Sequence, residues 1–235
     1  MSKKKNVKNP PQKADPQKTK QASKSDRIWT IFGVAVCVCL LIVALIAVLP
    51  KESQPERPAL PNVDALQENQ RFYATIKIVD YGTIRVELDH TEAPITVENF
   101  VTLAKSGFYE GVTFHRIIKD FMMQGGATMI PSKQPANIVG EFKANGYDNN
   151  ITHKRGVISM ARADDYNSAN SQFFIMQVTK THLDGKYAAF GHVVEGLEVV
   201  DAICDNIEAT DDNGSISLLD RPIIDSITIT VETVS

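Results

Sequence analysis

The stretch Phe114-His-Arg-Ile-Ile-Lys-Asp-Phe-Met-Met-Gln-Gly-Gly126 sets His115, Arg116 and Gln124 among large apolar side chains and ends in two glycines. A guanidinium stays charged and is almost never buried without a partner, so Arg116 is either paired or faces a cleft. Alternation along a strand places Phe114, Arg116 and Ile118 on one face and His115 and Ile117 on the other. The pair Gly125-Gly126 permits positive φ or a close backbone approach, as a bend out of a strand beside a ligand groove requires. From these residues alone, an amphipathic strand carrying a surface arginine is an equally good reading.

Working outward, the segments on either side have the periodicity of a mainly β domain. Ala74, Ile76 and Ile78 alternate with polar positions, as do Ile84, Val86 and Leu88 after the turn at Tyr81-Gly82, which predicts a hairpin. Pro94 opens a helix to about Ser106, with Val97, Phe100, Val101 and Ala104 on one face and Gly107 as its stop. Short strands are predicted at Val112 to Ile118, Val157 to Met160, Phe173 to Gln177, Gly191 to Val193 and Ile223 to Val231, with a second helix from Leu197 to Ile203. Many short strands and two helices argue for a closed or nearly closed β architecture.

Charge divides the 235 residues unevenly. Residues 1–27 carry a net +7 and the remainder a net −10, so the folded part is acidic and unsuited to nucleic acid. The first 27 residues lack the apolar surface to offset ordering entropy and read as a disordered basic cytoplasmic tail. Ile28 to Leu49 is twenty-two residues without a charge, enough to span the hydrocarbon core as a helix, with Trp29 at its start. The basic flank precedes this run, so the positive-inside rule keeps the N-terminus in the cytoplasm and puts everything after Pro50 outside it. The run is longer than a signal-peptide h-region and lacks an A-x-A site before Pro50, which favours an uncleaved signal anchor. Residues 50–71, with Pro50, Pro55, Pro58 and Pro61, form a semi-rigid spacer. The domain then runs from 72 to 235. It contains one cysteine, Cys204, read as a small core residue with no disulfide framework to join.

The central stretch, together with Gly156-Val-Ile-Ser-Met-Ala161, Ser171-Gln-Phe-Phe-Ile175, Leu183-Asp-Gly185 and Phe190-Gly-His192, resembles the cyclophilins, the peptidyl-prolyl cis/trans isomerases. The resemblance covers roughly residues 72 to 233. It implies a closed eight-stranded antiparallel β-barrel capped by two α-helices, acting on X-Pro bonds without a cofactor or metal. It implies Arg116 as the key catalytic group, supported by Phe121 and Gln124. Phe121, Met122, Phe174 and Leu183 would cup the pyrrolidine ring, the backbone at Ala161 and Arg162 would pair with the extended peptide, and His115 and Gln172 would lie at the rim. His182 stands where many members have a tryptophan and Tyr187 where many have a histidine, so cyclosporin-type binding is expected to be weakened more than catalysis. Arg162 replaces a common asparagine, and its side chain is expected to tune acidic substrates. The segment Ala127 to Asn137 departs most from the family, with Met129 and Ile130 expected to be exposed near the groove.

The five histidines show no i, i+4 or H-x-H spacing, and no phosphate loop or G-x-S-x-G elbow occurs, so metal, nucleotide and hydrolase chemistry lack support. The expected function is an isomerase for proline-containing segments of exported proteins, anchored in a membrane through residues 28–49, with a bacterial cell surface as the setting. The rival classes are a catalytically weak proline-peptide chaperone or scaffold and an anchored adhesin.

Overall fold

A computed structural model describes residues 70–233. The tail 1–27, the expected membrane helix 28–49 and all but the last two residues of the linker lie outside the described residues. No helix among the described residues is long and apolar enough to cross a membrane.

Eight strands form one antiparallel sheet in the order β3-β4-β6-β5-β7-β2-β1-β8. They are β1 (Gln70–Ile78), β2 (Gly82–Leu88), β3 (Thr113–Ile118), β4 (Met122–Ala127), β5 (Val157–Met160), β6 (Phe173–Met176), β7 (Ala189–Glu195) and β8 (Ile224–Thr233). The predicted hairpin is β1–β2, with Ile78 opposite Gly82. Its alternating Ala74, Ile76, Ile78 and Ile84, Val86, Leu88 all point into the core. Two helices pack on the sheet, α1 (Pro94–Lys105) and α2 (Leu197–Asn206). Val97, Phe100, Val101 and Ala104 are the buried stripe of α1, and Val199, Val200, Ile203 and Cys204 that of α2. Phe100 sits among Tyr109, Phe173 and Phe190 at centroid distances of 5.3 to 5.5 Å, the aromatic centre of the core.

The expected closed barrel is corrected at one seam. The sheet curls until its edge strands β3 and β8 approach, but they form no ladder. Their ends meet through the isolated bridge Thr113–Ile223 and through Ile224, whose N–H donates to Val112 O at 2.8 Å and whose carbonyl accepts from Gly111 N–H at 2.9 Å. Pro222 has no N–H to extend a ladder there; its carbonyl accepts from Phe114 N–H at 2.9 Å. The rest of the β3 edge is covered by the loop Gly214 to Ile216, through Ile117 N–H to Gly214 O (2.8 Å) and Ile216 N–H to His115 O (3.0 Å).

Strands β5 and β6 are buried on both faces, which is why β6 reads as an unbroken apolar run and β5 is broken only by Ser159, whose hydroxyl is paired with His153. Phe173 and Ile175 enter the main core. Phe174 and Met176, on the opposite face, join Met122, Val157, Leu183 and Ala189 in a second apolar cluster. That second cluster is the floor of the site.

The central stretch differs from its predicted alternation. Phe114 pairs with Gly125 and Arg116 with the adjacent Gln124, so His115 is an extra residue on β3, a β-bulge. The bulge lets Phe114 and Ile117 both enter the core while Arg116 turns outward and Ile118 packs on the second cluster. The glycine pair is not a bend out of a strand but lies within β4. A Cβ on Gly125 would sit 2.8 Å from the Phe114 ring; Gly126 has φ +88° and would place one 2.5 Å from Ser171 O. Close approach on one side and positive φ on the other both demand glycine.

Candidate active site

On the outer face, β4, β6 and the segments 161–162 and 182–187 enclose a groove of about 500 Å³. Ten of the twelve sequence-predicted residues line it: Arg116, Phe121, Met122, Gln124, Ala161, Arg162, Phe174, His182, Leu183 and Tyr187. Met122, Phe174 and Leu183 are less than a tenth exposed and form its base. Burying each contributes roughly 1.5 to 3 kcal/mol, so the cup is built by folding rather than by ligand. Phe121 lies at its edge, its ring 6.2 Å from that of His182.

Arg116 is held over this base by partners from two directions. Its Nε donates to Asn213 O at 2.7 Å, and Nη1 donates to Gln124 Oε1 at 3.3 Å beside Met122 Sδ at 3.8 Å. Nη2 makes no hydrogen bond among the described residues, so two N–H donors of a permanent cation remain uncommitted at an apolar groove. Gln124 Nε2 donates to Gln172 Oε1 at 3.1 Å, which fixes the amide and leaves one N–H for a ligand. Ala161 N–H is already paired with Gln172 O at 2.9 Å, so pairing with a peptide falls to the Ala161 carbonyl and the Arg162 N–H.

Gln172 and His115 lie outside the lining. The Gln172 side chain reaches the groove through its hydrogen bond from Gln124. His115 is the bulge residue; its Nδ1 is buried without a partner, and its pKa is lowered by burial and then by the charge of Arg221.

The Arg162 side chain is held largely by the protein itself. It donates to the carbonyls of Lys186, Ala163 and Asp164 at 3.0, 2.8 and 3.2 Å. Its guanidinium also lies over the rings of Tyr166 and Tyr187 at 4.8 Å and of Phe142 at 5.2 Å. It thereby ties one wall of the groove to the other.

The family model described as cyclophilin type peptidyl-prolyl cis-trans isomerase/CLD matches residues 73–231, most of the described chain. This chain belongs to the cyclophilin-type peptidyl-prolyl cis-trans isomerases, and is an enzyme of that class. It is 46% identical over 127 residues to peptidyl-prolyl cis-trans isomerase A of Dickeya dadantii, across 52% of this chain and 66% of that protein. To a peptidyl-prolyl cis-trans isomerase of Helicobacter pylori it is 46% identical over 134 residues, 56% of this chain and 79% of that one. A cyclophilin of Cryptosporidium parvum, crystallised in the presence of the dipeptide Ala-Pro, superposes with a TM-score of 0.58 at 30% identity, covering 67% of this chain and 98% of that one.

Sequence reasoning missed three features of the cyclophilin site. Lys186 joins the lining, making its charged residues Arg116, Arg162 and Lys186 all cationic. Asn213, 97 residues from Arg116, supplies the carbonyl that anchors it, and nothing local marks it. His153 is fully buried and stacks on Phe174 at 6.0 Å, its Nδ1 3.0 Å from Asp184 Oδ1 and its Nε2 3.1 Å from Ser159 Oγ. Burial lowers its pKa against the opposing pull of Asp184. The neutral ring then donates from Nδ1 and accepts the Ser159 hydroxyl at Nε2. This network supports Phe174 from behind and has no access to the groove.

Proposed function

We propose that the groove accelerates rotation about X-Pro bonds in extracytoplasmic polypeptides, from a domain tethered to a membrane by residues 28–49. The observation that carries this reading is Arg116: a fixed guanidinium with uncommitted Nη2 donors, set over the apolar base of the groove. The X-Pro barrier, roughly 18 to 20 kcal/mol, arises because the nitrogen lone pair is conjugated into the carbonyl. In the twisted state that conjugation is lost and the nitrogen regains its lone pair. A donor held near the prolyl nitrogen therefore binds the transition state more strongly than either ground state.

Phe121, Met122, Phe174 and Leu183 would hold the pyrrolidine ring, Gln124 one side of the peptide backbone, and Ala161 and Arg162 the other. His182 and Tyr187 would form the outer wall. The Cryptosporidium relative studied with Ala-Pro supports a proline-containing ligand for a fold of this kind. The tether and its orientation rest on the uncharged run 28–49 and the basic residues before it. A cyclosporin-type ligand would bind weakly, since His182 offers less apolar area than an indole.

The test is the cis-to-trans rate of an X-Pro tetrapeptide with the purified full chain. Acceleration is expected; none from a well-folded chain that still binds the peptide would make the groove a holding site. For the location, protease added outside intact cells is expected to remove the domain, and complete protection would contradict the orientation.

A further inference from the structure

A second cavity, of about 570 Å³, lies at the other end of the β3–β4 hairpin. Its apolar lining is Phe108, Val112, Met129, Ile130 and Leu218. Three of these are large side chains held open to solvent: Met129 is 74% exposed, Leu218 62% and Ile130 47%. The segment that carries two of them is ordered, with Ile130 N–H donating to Thr128 Oγ1 at 3.1 Å and a turn of 3₁₀ helix at Pro131–Lys133. The charged residues on the rim, Glu110 and Lys133, are of opposite sign, so an apolar group rather than an ion fits between them.

The cavity and the groove lie at two points along the same pair of strands. The pair Arg116–Gln124 faces the groove, and the pair Thr113–Ala127 of the same two strands faces the cavity. Three residues of β4 separate Gln124 from Ala127, about 10 Å at strand rise. The two residues between them are Gly125 and Gly126, so no β4 side chain forms a ridge across that path. An extended polypeptide covers the same distance in three to four residues.

We propose that this cavity is a second subsite for the same client polypeptide, taking an apolar side chain three to four residues from the proline held in the groove. The proposal rests on the isomerase reading of the groove. It explains why Met129, Ile130 and Leu218 stay exposed around a cavity instead of collapsing into the core. It makes the enzyme selective for X-Pro bonds near an aliphatic or aromatic residue, the composition of an unfolded chain.

The test uses the purified full chain and nonapeptides with a central Ala-Pro and either leucine or glycine at three and at four residues from the proline, on each side in turn. A leucine peptide is expected to exceed its glycine counterpart about tenfold in kcat/KM, as for a side chain entering a hydrophobic pocket. Leu218→Asp and Met129→Ser are expected to bring that ratio towards one while the rate on an Ala-Pro tetrapeptide stays at the wild-type level. Met129→Ser alters a side chain already three-quarters exposed and therefore serves if Leu218→Asp does not fold. Equal kcat/KM for leucine and glycine peptides, with the tetrapeptide still turned over, would overturn the subsite and leave the isomerase intact. Failure on the tetrapeptide itself would remove both. A concentration-dependent oligomer dissolved by Leu218→Asp, without a leucine preference, would assign the cavity to a second copy of the chain and overturn the proposal.

Discussion

Glu141 is a buried carboxylate that closes the N-terminus of α1 from 45 residues away. The helix has no side-chain cap of its own at Ala93. Glu141 accepts from Ile95 N–H at 2.9 Å, Thr96 N–H at 2.7 Å and the Thr96 hydroxyl at 2.7 Å. Pro94 has no N–H to satisfy, so the bonds to Ile95 and Thr96 close two of the remaining backbone donors of the first turn and place a negative charge at the positive end of the dipole. Glu141→Ala strands them. Ile95 is half-buried and its N–H can be hydrated, whereas Thr96 is fully buried. Each buried group left without a partner costs about 1 to 3 kcal/mol, so the two on Thr96 set a loss of roughly 3 to 4 kcal/mol. For a domain of this size that lowers Tm by about 10 °C. Glu141→Gln keeps an acceptor oxygen but turns an amide N–H₂ towards a donor, and is expected to lose about half as much. Thermal unfolding followed by circular dichroism measures both. A Tm within about 2 °C of wild type for Glu141→Ala would refute the capping role, given the slope used here.

Two further outcomes follow from buried titratable groups. Burial pushes the Cys204 thiol up to about 12; at pH 8 its thiolate fraction is then about a thousandfold below that of a free cysteine. Alkylation mapped by mass spectrometry is expected to spare Cys204 until the domain unfolds, and rapid labelling of the native chain would contradict its burial. His153 takes up a proton more readily unfolded than folded, because burial lowers its pKa. Its contribution to stability is complete above about pH 6.5 and is lost as pH falls from there through the depressed folded value. Melting scans from pH 8 to 5 are expected to show that decline, and His153→Gln to flatten it; an unchanged slope would move the titration elsewhere, to His115.

The strands and helices with clean periodicity were legible in the sequence. Alternating Ile84, Val86 and Leu88, the Val97-Phe100-Val101-Ala104 stripe and the run Val157 to Met160 appear where their patterns place them. β4 was not legible as a strand, because Gln-Gly-Gly-Ala suppresses the β signal, and its glycines exist to admit Phe114 and the Ser171 carbonyl. The outward turn of Arg116 depends on a bulge at His115 that no residue type announces. Likewise the β3–β8 seam is set by Pro222 and a loop from a distant part of the chain. At the site, motif residues identified the groove wall by wall. Their supports, Asn213 behind Arg116, His153 and Asp184 behind Phe174, and the ring cage around Arg162, are long-range pairings without local spacing.

The most direct measurement is the steady-state kinetics of Arg116→Ala on an X-Pro tetrapeptide, alongside its far-ultraviolet circular dichroism and its affinity for the same peptide. Removing a preorganised donor from a dry site is expected to lower kcat about 10²- to 10³-fold, with the fold intact and peptide binding changed far less. A well-folded variant that retains kcat within about threefold of wild type would show that the guanidinium does not stabilise the twisted bond.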